Sequence, residues 1–173
     1  MARDDQWLLN ATIANVLAPL RGAQWLAKAV LIWDWSYQST ADADAPLIRA
    51  HGKVATDRDH DGDGWHEILA ITGLHNGDPI TGLVPAGESI PGNDSYDGDN
   101  RIRSISNHED KAQLSKNGFQ YRLEDGSYAN VFFGSFFDPP SYVEFHSRYP
   151  FPDGAIAPNT ETPIDFIAYP ALN

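Results

Sequence analysis

One stretch of the chain sets oxygen ligands at a spacing that suits a hard cation. In Asp57-Arg58-Asp59-His60-Asp61-Gly62-Asp63-Gly64-Trp65-His66-Glu67 the acids Asp57, Asp59, Asp61 and Asp63 alternate with other residues. Calcium takes roughly six to eight oxygen ligands in flexible geometry. Acids at every second position, then a glycine that allows a sharp turn, let one segment wrap around one ion. Two registers fit. In the first, Asp59, Asp61 and Asp63 alternate, Gly64 turns the chain, Trp65 offers its carbonyl and Glu67 closes. In the second, Asp57, Asp59 and Asp61 alternate, Gly62 turns, and Asp63 offers a carbonyl. The first is preferred, because Glu67 leads directly into the apolar run Ile68-Leu69-Ala70-Ile71. Four aspartates this close repel one another without a counterion, so Ca2+ is the expected cofactor. Magnesium, which favours water and phosphate partners, suits the loop less well. A second acidic stretch, Asn93 to Asn100, lacks clean alternation and reads as a flexible turn.

Other chemistry is sparse. The six histidines, His51, His60, His66, His75, His108 and His146, form no His-x-His or His-Glu-x-x-His pattern. No Gly-x-Ser-x-Gly elbow and no phosphate-binding glycine loop occurs. There are no cysteines, which removes disulfides, thiolate zinc sites and cysteine nucleophiles. The reading is therefore of a non-enzymatic protein. A carboxylate pair for glycoside hydrolysis has no fixed sequence spacing, so a hydrolase remains a lesser alternative. Glu144, between Tyr142 and Phe145, is the isolated acid among aromatics and reads as a core-edge strand residue. Trp7, Trp25, Trp33, Trp35 and Trp65, with the tyrosines, could include a sugar-stacking platform, although aromatic stripes in strands usually form the core. Asn10-Ala11-Thr12 and Asn93-Asp94-Ser95 match the glycosylation sequon.

The elements that must carry these residues are mostly strands. Asp4 to Leu20 has apolar residues at helical spacing, with Pro19 and Gly22 closing it, and predicts a short N-terminal helix or an arm over residues 1–22. From Lys28 the period becomes two: Ala29, Leu31, Trp33, Trp35 and Tyr37 share one face. Strands follow at Leu47–Thr56, Glu67–Thr72, Ile80–Val84, Phe119–Glu124, Tyr128–Phe137, Tyr142–His146 and Ile164–Tyr169. Asp125-Gly126 signals a hairpin, Asn107 to Leu114 reads as one or two helical turns, and Pro163 and Pro170 limit the last strand to an edge position or a short length. Seven or eight short strands with turn-rich connections predict an all-β fold, an antiparallel β-sandwich or barrel, as one domain over residues 23–173.

Composition narrows the partners. Lys plus Arg is 12 against 24 for Asp plus Glu, a formal charge of −12. Nucleic-acid binders need a basic face, and none is present, so cations are the natural partners. No apolar run is long enough for a membrane span. Residues 1–5 carry two acids and one Arg with no apolar stretch after them, so no signal peptide is visible. At 173 residues, about 70% of the unfolded surface can be buried.

The preferred register of the acidic loop resembles the calcium loops of FG-GAP and VCBS-type extracellular β-proteins and, more distantly, the EF-hand loop. Counting from Asp59, the EF-hand's closing Glu would fall on Ala70, so a strand-flanked loop is expected rather than a helix–loop–helix. A wider stretch is similar to the β-domains of secreted bacterial proteins with a PEP-CTERM sorting tail. Its signatures are Ile71-Thr72-Gly73, Ile80-Thr81-Gly82-Leu83-Val84-Pro85-Ala86-Gly87, Asn93-Asp94, Asn117-Gly118-Phe119 and Asn130-Val131-Phe132-Phe133. The tail itself has no counterpart in Pro170-Ala171-Leu172-Asn173. The resemblance implies an exported protein of the cell surface or matrix. The expected function is a calcium-stabilised structural protein that self-assembles into a homo-oligomer, layer or filament. A calcium-dependent carbohydrate-binding module, with a glycan as ligand, is the alternative.

Overall fold

The computed structural model describes residues 30–40, 47–59, 62–105 and 112–171. The expected N-terminal helix, most of the Asn107–Leu114 turn, and Asp61, His60, His108, Trp7 and Trp25 lie outside these residues. Nine strands are described: β1 (Leu31–Ser39), β2 (Arg49–Thr56), β3 (Trp65–His75), β4 (Asp78–Leu83), β5 (Arg101–Arg103), β6 (Phe119–Leu123), β7 (Tyr128–Gly134), β8 (Ser141–Ser147) and β9 (Thr160–Pro170).

Eight of them form a closed antiparallel barrel, the all-β architecture that strand alternation predicted. The wall runs β1-β2-β3-β4-β6-β7-β8-β9, and β9 pairs back onto β1 from Trp33↔Pro170 to Ser39↔Ile164. Of the two architectures expected, the sandwich is therefore excluded, because the meander closes on itself and the wall has no free edge. β5 stands outside this ring and pairs with the first residues of β3, Trp65 to Glu67.

The edge position or short length expected for the last strand is also corrected. β9, from Thr160 to Pro170, lies between β8 and β1. Its Pro163 is tolerated for a local reason. The N and O of one strand residue point to the same side, and the Pro163 carbonyl accepts from Thr40 N at 3.0 Å, just beyond the end of β1. The missing N–H therefore faces a place where no ladder partner is needed.

Alternation fills the barrel. Trp33, Trp35 and Tyr37 of β1, Val54 of β2, Ile71 of β3, Phe119 and Tyr121 of β6, Val131 of β7 and Phe166 of β9 join one interior cluster. Large residues are matched by small ones along the hydrogen-bonded rows, as a small barrel requires. Trp35 is level with Gly52 on β2, which is level with Gly73 on β3, and with Ala168 on β9. A Cβ built on Gly52 would lie 1.9 Å from the Thr72 carbonyl oxygen, and one on Gly73 2.2 Å from that of His51. Gly52→Ala should therefore push β2 and β3 apart and cost about 1–3 kcal/mol. Chemical denaturation checks this, and an unchanged midpoint would contradict it.

A second cluster lies outside the wall, where Phe132, Val143 and Phe145 are covered by Val84 and Ile90. The segment expected as a flexible turn is held here by hydrogen bonds. Gly87 N donates to Gly98 O at 2.8 Å, Gly98 N to Glu88 O at 3.1 Å, and Asn100 Nδ2 to Val84 O at 2.8 Å. Among the described residues no helix is long and apolar enough to cross a membrane.

Candidate functional site

The acidic loop joins β2 to β3, so it is flanked by strands. Its base is clamped. Asp57 N donates to Glu67 O at 3.0 Å, Glu67 N donates to Asp57 Oδ1 at 2.7 Å, and the His66 ring Nδ1 lies 3.1 Å from Asp57 O. Higher in the loop, Asp59 accepts from Gly62 N at 2.7 Å and from Gly64 N at 2.9 Å. Asp63 Oδ1 accepts from Trp65 N at 2.8 Å, and Asp63 Oδ2 lies 3.4 Å from an Arg101 guanidinium nitrogen. Gly62 and Gly64 both have positive φ, +77° and +82°, which leaves the turn to glycine.

The predicted ligands thus fall into two tiers. Asp59 and Asp63 share the glycine turn, whereas Asp57 and Glu67 hold the loop's base. Trp65 already belongs to β3, and its ring lies under the Arg103 guanidinium at 4.7 Å. Asp61 is outside the described residues. Among the described residues no group of three or more His, Asp or Glu side chains is arranged to hold a metal ion. The donor set is nevertheless all hard oxygen, and backbone N–H groups hold its carboxylates in place, which suits calcium.

A second constellation sits inside the barrel. Glu144 on β8 is fully buried, and the carboxylate accepts from the Tyr37 hydroxyl of β1. Tyr121 of β6 donates to the Tyr37 oxygen at 2.5 Å. The Nε2–H of His75, at the end of β3, faces both Glu144 oxygens at 3.1 and 3.2 Å. Four strands are thereby tied across the lumen. His146, two residues beyond Glu144, lies ring to ring with His75 at 5.2 Å, and its Nε2 is 3.2 Å from the Ser127 hydroxyl. Ser127 in turn donates to Asp125 at 2.6 Å. Glu144 is thus no core-edge residue. Its partners come from three other strands, and only its own aromatic flank was visible in sequence.

The electrostatics separate the two histidines. Burial pulls the His75 pKa down, but the hydrogen bond to Glu144 and its charge reverse this, and the net shift is upward from 6.5. Burial lowers the His146 pKa from 6.5; the Glu144 charge opposes this, and the His75 charge adds to it. Burial first, then the Glu144 charge, hold both tyrosine hydroxyls well above their ordinary value, so they stay protonated donors. A raised His75 contributes stability that is complete below 6.5 and is lost as pH rises through the folded value. A depressed His146 contributes stability that is lost as pH falls from 6.5 through its folded value. Together they place a stability maximum near the ordinary imidazole pKa. His75→Gln should flatten the decline above pH 6.5, and His146→Gln the decline below it. Denaturation midpoints across pH check both, and slopes equal to the parent's would contradict the assignment.

A third feature is a groove of about 260 Å³ on the outer face of the wall. Its floor is Asn130 and Phe132 of β7 with Phe145 of β8, and Phe136, Tyr96 and Lys116 stand around it. Of the tryptophans that could form a sugar-stacking platform, Trp33 and Trp35 are core side chains, Trp65 is half-buried against Arg103, and Trp7 and Trp25 lie outside the described residues. The chain matches no family model, no curated protein and no solved structure.

Proposed function

We propose that this chain is a non-enzymatic, calcium-stabilised β-barrel with a structural role at the cell surface or in an extracellular matrix. The observation that carries the reading is the loop between β2 and β3. Its carboxylates at Asp57, Asp59 and Asp63 are oriented by the N–H groups of Glu67, Gly62, Gly64 and Trp65. A cation entering such a loop spends little free energy on ordering it. Bound there, calcium would neutralise like charges at the start of β3, with Asp59, Asp61 and Asp63 as main ligands and Trp65 O and Glu67 completing the shell. The alternative register uses the carboxylates of Asp57, Asp59 and Asp61 with the Asp63 carbonyl.

Assembly fits the same reading. The closed wall offers no strand edge for a neighbour to extend, so copies would meet through side-chain surfaces. Tyr149, Ile156 and Tyr169, all exposed, supply apolar area on the C-terminal stretch. At a formal charge of −12 the copies repel one another, and calcium would relieve that repulsion. Calcium added to chelator-stripped protein, followed by calorimetry and sedimentation, tests both parts. The expected result is a saturable heat and a shift to larger species, both weakened by Asp61→Ala. No heat and no shift would overturn the reading.

A further inference from the structure

We infer that the groove on the outer face of β7 and β8 is a binding site for a neutral sugar residue. Asn130 is buried, yet its side-chain Oδ1 has no hydrogen-bond partner among the described residues. Directly opposite on β6, Gln120 is also buried, and its Oε1 is likewise unpaired while its Nε2 is held by Tyr96 O at 2.9 Å. Leaving a buried acceptor unsatisfied costs about 1–3 kcal/mol. The two residues are level across the β6–β7 pair, and Asn130 lines the groove, which marks a place that asks for hydrogen-bond donors.

The rest of the lining says what kind of donor. Phe132, Phe136 and Phe145 make one side apolar, and Phe136 is 65% exposed with its ring nearly parallel to Phe132 at 6.5 Å. Lys116 and Glu161 stand at the same groove with opposite charges, which favours an uncharged ligand over an anion or an ammonium. A pyranose matches all three demands. Its hydroxyls donate to Asn130, its C–H face lies on an exposed phenyl ring, and its remaining hydroxyls reach Lys116 and Glu161. The size agrees, since about 260 Å³ has room for one such residue. This site is independent of the proposed calcium loop, which lies between β2 and β3 rather than on the β7–β8 face.

The test is a glycan array of neutral sugars. Titration of the full chain with the best free monosaccharide and with its oligosaccharide follows, each with and without EDTA. The expected result is saturable binding that survives EDTA. It should weaken at least tenfold in Asn130→Ala and in Phe136→Ala, with both variants still folded at the assay temperature. Equal affinity for monosaccharide and oligosaccharide is expected for a one-residue site. No binding across the array, or unchanged affinity in both folded variants, would overturn the inference. So would binding that vanishes in EDTA with the barrel intact, or preference for a simple ammonium ion over every sugar.

Discussion

Glu144→Ala is expected to lower stability by about 3–5 kcal/mol, the cost of removing one partner from a buried charged pair. The loss is large because Glu144 is the hub of the cluster. Without it, the Tyr37 hydroxyl and the His75 Nε2–H lose their acceptor in the barrel interior, where no solvent replaces it. For a chain of this length the melting temperature should fall by roughly 6–20 °C. Glu144→Gln separates packing from charge. It keeps the side-chain volume and an acceptor for Tyr37, so the loss should be smaller. It also removes the largest influence that raises His75, leaving burial opposed only by the charges of Asp78 and Asp125, so that ring should titrate lower than in the parent. An alanine variant as stable as the parent would show that the cluster contributes nothing to holding the four strands together.

The second large effect concerns the acidic loop. A ligand that binds only the folded state adds about 2.7 kcal/mol at a hundredfold excess over Kd. Calcium at that excess should therefore raise the melting temperature by roughly 5–10 °C over chelated protein. Asp61→Ala and Asp63→Ala should each abolish the shift. Asp97→Ala, in the second acidic stretch, should leave most of it.

Much of the barrel was legible because period-two alternation writes a strand directly. Trp33, Trp35 and Tyr37 were placed on one face by spacing alone, and that face is the interior. The Asp125-Gly126 hairpin followed from turn chemistry, and Gly126 has the positive φ, +84°, that the turn needs. Asn76-Gly77 is an equally strong signal: Asn76 at φ 51° and Gly77 at φ 96° turn β3 into β4. Closure of the barrel was not legible, since pairing of β9 with β1 joins the two ends of the chain and leaves no local trace. The same holds for the Glu144 cluster. Tyr37, His75, Tyr121 and Glu144 are far apart in sequence, and only strand order brings them together. The acidic loop was visible because its residues are consecutive. The groove was not, because its lining comes from β7, β8, β9 and four loops. The short β5, three residues long, carries too little pattern to be found.

The most direct test of the central proposal is a calorimetric titration of calcium into the chelator-stripped chain, run in parallel on Asp59→Ala. Asp59 is the right probe because it is common to both registers and sits beside the glycine turn. The account predicts one saturable event per chain in the parent and a loss of most of that heat in the variant. A parent chain that gives no heat with calcium, and melts at the same temperature with and without EDTA, would contradict it.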